Sequence, residues 1–258
     1  MEIISLGIYS KSPEYPRFRN LLQGLRDTDA RITECNYEMA ESSEERLRSV
    51  NNPLTAFSFG LRLLSSYLII TIKYLRSPKA DAILIGYPGY FHVHFARFLT
   101  LIKNRNAILV FDIFFSLYDT LAKDRKLIKE TSLILKFIRR LEKSTLQIAD
   151  IILVDTTTHG NTIAEEYGIA KNKLKRIFVG SSFGPPHSPT EIDTHPVDFK
   201  VLFIGTYIPL HGIDVILKAA EKLLPVKDIR FVLVGKGQLR SEMETLAREL
   251  ALENVVFE

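Results

Sequence analysis

The chain has 258 residues, enough for one large or two ordinary domains, and at 46% apolar and 25% charged it has the composition of a folded globular protein. Its lone cysteine, Cys35, excludes an internal disulfide and a cysteine metal cluster and fits a reducing compartment. A net charge of +4 suits an anionic partner, a nucleotide diphosphate or an acidic membrane surface, and nucleic acid is not expected as a partner.

The amino terminus has Glu2 and no basic segment ahead of its short apolar run, so residues 3–8 read as a first strand and not a signal peptide, with a cytoplasmic location expected. Residues 9–19 form a polar, proline-stiffened loop at the end of that strand. Its cations Lys11, Arg17 and Arg19 either contact phosphate or carboxylate groups of a ligand or are simply solvated. A second strand follows at 31–37 and a polar helical stretch at 41–50. Residues 46–80 contain no acidic residue. Within 53–76, Thr55, Ser58, Arg62, Ser65, Ser66, Lys73 and Arg76 share one narrow helical stripe, and nearly everything else is apolar. The uncharged runs are too short to span a bilayer. The commoner reading is a well-buried core helix; the other is a helix lying on a membrane surface.

Residues 81–85 read as a third strand. A Gly-Tyr-Pro-Gly turn then opens a helix around 96–102, with His92 and His94 at its start. No third ligand stands at metal spacing, so these histidines cap the loop or donate to a ligand hydroxyl. The fourth strand, 107–111, delivers Asp112, with Ser116, Tyr118, Asp119 and Thr120 close behind. Residues 121–148 read as one helix with Leu127, Ile134, Leu135, Ile138 and Leu141 inward. A fifth strand, 150–154, leads into a capped helix at 162–167, and a sixth lies at 176–179. Pro185, Pro186, Pro189 and Pro196 mark an aperiodic linker over 180–196. Beyond it, apolar strands 201–204 and 231–234 end in Gly205 and Gly235. Each precedes a helical pattern, and 255–257 gives a last strand. The fold expected is α/β, two Rossmann-like doubly wound parallel-sheet domains with the second incomplete.

The order strand, Gly205, Pro209, His211-Gly212, helix ending Ala219-Ala220, then Val234-Gly235-Lys236-Gly237, helix and Asn254-Val255-Val256-Phe257 resembles the start of the carboxyl-terminal domain of GT-B glycosyltransferases of family 4. The segment 111–120 likewise resembles the family stretch in which a strand ends in a His-Asp pair: Asp112 matches the Asp, and Phe111 stands where the His would be. The resemblance implies an acceptor-side domain over 1–180, a linker over 181–199 and a partial donor-side domain over 200–258. It implies retaining sugar transfer, metal-independent, with no cofactor, from a nucleotide-sugar donor to an unknown sugar or lipid-linked acceptor in glycan or glycolipid biosynthesis. It puts Asp112 in a catalytic role, Gly205, Thr206, His211, Gly212 and Gly235 on the donor, and Lys11, Arg17, Arg19, His92 and Asp119 on the acceptor. The turn at 205–212 has backbone amides and a helix amino terminus suited to a diphosphate. Thr206 and His211 stand where family members usually place an arginine and a lysine, and histidine is the weaker cation at neutral pH. The family's paired glutamates would fall after Glu258, so this chain is expected to bind nucleoside diphosphates weakly and to transfer no sugar by itself. Two alternatives remain. A dinucleotide-binding oxidoreductase rests on Gly235-Lys236-Gly237, with Arg240 in the place of the third glycine. The other is a non-catalytic glycosyltransferase-like fragment.

Overall fold

A computed structural model of the chain describes residues 1–9, 16–38, 53–180 and 199–258. Lys11, the 41–50 stretch and the linker therefore lie outside the described residues. The chain divides into two compact units, Met1–Leu117 with Lys136–Pro185, and Tyr118–Leu135 with Pro186–Glu258.

The first unit is built on six parallel strands in the order β2-β1-β3-β4-β5-β6: β1 Glu2–Ile8, β2 Arg31–Tyr37, β3 Ala82–Ile85, β4 Ile108–Asp112, β5 Ile151–Val154 and β6 Leu174–Arg176. The apolar runs explain the parallel pairing. Strands buried on both faces need side chains such as those of Ile3, Ile4, Ile83, Leu84, Leu109, Ile152 and Leu153, and each of these is buried. Register is continuous across the sheet, with Leu6 opposite Cys35, Ile83 opposite Leu109 and Phe111 opposite Ile152. One face is covered by helices α2 Pro53–Arg76, α3 Tyr90–Ile102, α4 Leu133–Ile148 and α5 Thr157–Tyr167, which bury Ile70, Tyr74, Val93, Leu99, Leu146 and Ile163 against it. On the other face α1, Pro16–Arg26, packs Phe18 and Leu22 against Ile3, Leu84 and Leu153.

Four sequence expectations change. Residues 16–19 are not loop: Pro16 occupies the first helical position, where its missing N–H leaves no bond unmade, and Arg17 and Arg19 are carried on α1. The helix expected over 121–148 is broken. A π-helical turn spans Thr120–Asp124, Lys126 takes φ 50°, and α4 begins only at Leu133, leaving Leu127 and Ile134 exposed where an inward face was expected. The sixth strand lies earlier, at Leu174–Arg176. Helix α2 is not a well-buried core helix. Among its described side chains it buries the stripe of Ser66, Ile70 and Tyr74, while Phe57, Leu61, Leu64, Leu68, Ile72 and Leu75 are exposed. Among the described residues no helix is long and apolar enough to cross a membrane.

The second unit carries three parallel strands in the order β7-β8-β9, Phe199–Ile204, Ile229–Val234 and Val255–Phe257, with helices α6 Ile213–Lys222 and α7 Arg240–Glu249. Its core joins Tyr207, Ile213, Leu217, Leu233, Met243 and Ala247. Strand β7 thus lies in a sheet of its own, and the α/β class with two parallel sheets is the architecture expected.

Candidate functional site

At the carboxyl end of the first sheet, Asp112 and Arg17 face one another. Arg17 Nε donates to both carboxylate oxygens of Asp112 at 3.0 Å, and a terminal guanidinium nitrogen reaches Oδ1 at 2.7 Å. The other terminal nitrogen donates to the Ile177 carbonyl at 2.9 Å, and the Phe114 ring lies 5.0 Å from the guanidinium carbon. Asp112 is 1% exposed and Arg17 7%. Burial pushes the Asp112 carboxyl above its usual range, partly offset by the hydrogen bonds and charge of Arg17. An acceptor-binding Arg17 and a catalytic Asp112 each need an atom turned to a ligand. In this state the pair instead ties the ends of β4 and β6 to α1.

The loop after β4 is held by a second buried group. Glu142 of α4, with no exposed surface, accepts from the Leu117 amide at 2.5 Å, the Ser116 hydroxyl at 3.2 Å and the Tyr167 hydroxyl at 2.5 Å. The Tyr90 hydroxyl donates to the Phe115 carbonyl at 2.6 Å and accepts from the Leu117 amide at 3.1 Å. Neither residue stood out in the sequence. Glu142 shares an inward spacing with Ile138, Thr145 and Ala149, and that periodicity is the signal that would have found it.

His92 is buried at the start of α3. Its ring stacks on Tyr67 of α2 at 5.5 Å and 27°, and its Nε2 has no hydrogen-bond partner among the described residues. Burial lowers its pKa to about 4, so the imidazole is neutral at physiological pH. His94 is engaged elsewhere, with Nε2 3.3 Å from the Thr145 hydroxyl. Arg19 is half-exposed on α1. Asp119 pairs with Lys123 at 2.7 Å and belongs to the segment grouped with the second unit. At the end of β5, burial alone would raise the Asp155 carboxyl. The His159 ring at 2.8 Å and the Thr156 amide outweigh that and hold it below its usual range.

In the second unit the turn after β7 interlocks with the turn after β8. Tyr207 N–H donates to the Lys236 carbonyl at 2.9 Å, and Leu239 N–H to the Tyr207 carbonyl at 3.0 Å. Two glycines make the approach possible. A Cβ on Gly235, at φ 142°, would fall 1.9 Å from the Gly205 carbonyl oxygen, and one on Gly237 would fall 2.6 Å from Tyr207 backbone atoms. Gly212 takes the left-handed conformation, φ 58°, immediately before α6. His211 Nδ1 donates to the Thr206 carbonyl at 2.5 Å, which leaves Nε2 as the ring's other polar atom, and Thr206 and His211 are exposed. The backbone departs from the diphosphate cradle expected of it. The amides of Gly205, Tyr207, Ile208, His211 and Gly212 all donate to carbonyls within the unit, and Pro209 has none.

Residues 191–257 match the family model of glycosyl transferases group 1. No curated protein matches. Among solved structures, the chain is similar to sucrose-phosphate synthase from Thermosynechococcus elongatus, at 16% identity and TM-score 0.65, covering 100% of this chain and 70% of that one. It is similar to WaaG, a glycosyltransferase involved in lipopolysaccharide biosynthesis, at 14% identity and TM-score 0.56, with the same two coverages of 100% and 70%. Against TarM of S. aureus, at 15% identity and TM-score 0.48, 74% of this chain is covered and it spans only 36% of that one. The fold is therefore GT-B-like, and the group 1 match covers the second unit's interlocked turns. Within that segment the dinucleotide reading is not favoured. Arg240 fills the place of the third glycine, where it donates to the Gly235 and Glu258 carbonyls at 2.7 and 2.8 Å and lies over the Tyr207 and Phe257 rings.

Proposed function

We propose that the chain is a nucleotide-sugar glycosyltransferase of family 4, transferring with retention and binding its donor without a metal. The observation that carries the reading is the group 1 match over residues 191–257, falling on a unit whose Gly205 and Gly235 turns are locked together beneath an exposed Thr206 and His211. The donor is assigned to this unit: His211 and Thr206 meet the diphosphate, and Gly205, Gly212 and Gly235 shape the backbone that presents them. The acceptor, a sugar or a lipid-linked sugar, is assigned to the first unit, with Lys11, Arg19 and His92 as its candidate contacts; Asp119 belongs to the second unit and is not carried with them. In this reading Asp112 acts at the reaction centre once bound substrate displaces Arg17 from one of its carboxylate oxygens. Histidine in place of a lysine on the donor phosphates gives weak binding.

Titration calorimetry of the full chain with UDP- and GDP-sugars tests the reading. Binding that is unchanged by EDTA, weakened by His211→Ala and absent for NAD is the expected result. Binding of NAD in preference to any nucleotide sugar would overturn it.

A further inference from the structure

Helices α2 and α3 lie side by side. Tyr67 of α2 meets Phe95 of α3 edge to face at 4.8 Å, the Tyr74 hydroxyl donates to the Lys103 carbonyl at 2.8 Å, and Lys103 Nζ returns to the Leu75 carbonyl at 2.9 Å. Their shared outer surface is apolar. On α2, Leu64 is 70% exposed, Leu68 62% and Phe57 68%; on α3, Phe91 is 55% exposed, Phe98 59% and Ile102 60%. The helical spacing makes this one surface. Phe91, Phe98 and Ile102 fall on the stripe of Phe95, the residue turned toward α2, while Leu64, Leu68 and Leu75 fall on the flank of α2 that Tyr67 turns toward α3. Along the opposite flank of α2 run Arg62, Lys73 and Arg76, and neither helix contains an aspartate or glutamate.

We infer that this two-helix surface is an interfacial docking site for an anionic phospholipid bilayer. An apolar plateau about 27 Å long by the helical rise, from Phe57 to Leu75, edged with cations and carrying no acid on either helix, matches the acyl boundary beneath negatively charged headgroups. The charge pattern selects against a second copy of the chain. Lys73 Nζ donates to the Asn36 carbonyl at 2.6 Å, and a self-complementary interface would still bring the basic flanks of two copies onto one surface whose helices carry no carboxylate. The inference is independent of the sugar-transfer reading, since it uses none of the residues assigned to donor or acceptor.

Sedimentation of the full chain with vesicles of neutral phosphatidylcholine, and with vesicles that also contain phosphatidylglycerol, tests the inference. The parent chain partitions onto the anionic vesicles and is released by salt. Arg62→Gln/Arg76→Gln lowers the partition coefficient roughly tenfold or more, at about 1 kcal/mol per cation. Leu64→Glu/Leu68→Glu abolishes binding. All four side chains are exposed, and the circular dichroism and melting temperature of each double variant, measured alongside, separate lost docking from lost folding. Equal sedimentation with neutral and anionic vesicles, sedimentation unaffected by Leu64→Glu/Leu68→Glu, or no sedimentation at all would each overturn the inference. So would a concentration-dependent dimer that these substitutions dissolve in the absence of any vesicle binding.

Discussion

Replacing Arg17 by methionine keeps a long apolar side chain at this buried position and removes the guanidinium. The loss is of three hydrogen bonds to a carboxylate 1% exposed to solvent and a fourth to the Ile177 carbonyl. Breaking a buried ion pair from one side costs about 3–5 kcal/mol, because the remaining charge keeps its desolvation penalty, and the orphaned carbonyl adds about 1 kcal/mol. A loss of roughly 4–6 kcal/mol compares with a total stability of about 5–15 kcal/mol for an ordinary domain, so Arg17→Met sits near the edge of folding at neutral pH. The sign of the pH dependence follows from Asp112, whose carboxyl is raised by burial even with Arg17 in place. A raised acid contributes stability below its unfolded pKa and loses it as pH rises through its folded pKa. Without Arg17 the carboxyl rises further, so the deficit is full where Asp112 is charged and narrows as pH falls and the carboxyl takes up its proton, since the neutral acid needs no cation. Urea unfolding of parent and variant at pH 7 and pH 4.5 measures both effects. A variant within about 1 kcal/mol of the parent at pH 7, or a deficit equal at the two pH values, would refute the reasoning.

Two further outcomes follow from the geometry. Gly235→Ala puts a methyl group onto the Gly205 carbonyl oxygen at a backbone φ of 142°, so it destabilises the second unit by about 3 kcal/mol or more. Amide exchange in 199–258 then accelerates while β1–β5 stay protected, and uniform exchange across the chain would contradict it. His92, lowered to about 4, contributes stability that is whole above pH 6.5 and is lost as pH falls through that value toward 4. The loss is up to about 3 kcal/mol, and its imidazole NMR signals stay those of the neutral ring down to about pH 5, a titration near 6.5 being the opposing result.

The strands of the first sheet were legible because a parallel sheet buried on both faces leaves continuous apolar runs, as at Ile83-Leu84-Ile85 before Gly86; β7 carries the same kind of run although its Leu202 and Ile204 are exposed. Helix α1 was hidden because the prolines at 13 and 16 and its cations read as a loop, although Phe18 and Leu22 already stood one turn apart. The break before Leu133 was hidden for the opposite reason: its apolar residues keep helical spacing through a segment that the backbone leaves at Lys126. In the candidate site, the residue types were readable and their partners were not. Arg17 and Asp112 are separated by 95 positions, and nothing local announces that each satisfies the other. The amides of the 205–212 turn were aimed at a ligand by sequence logic alone. Their actual acceptors are carbonyls of the same unit, some as far along the chain as Val234 and Lys236.

The claim that the second unit holds a nucleotide-sugar diphosphate is tested most directly by amide chemical shifts of the full chain titrated with UDP- and GDP-sugars. The account predicts saturable shifts centred on Gly205, Thr206, His211, Gly212 and Gly235, reduced by His211→Ala, with the strands of the first sheet unmoved. Shifts confined to the first unit, or none in the second with any nucleotide sugar at millimolar concentration, would contradict it.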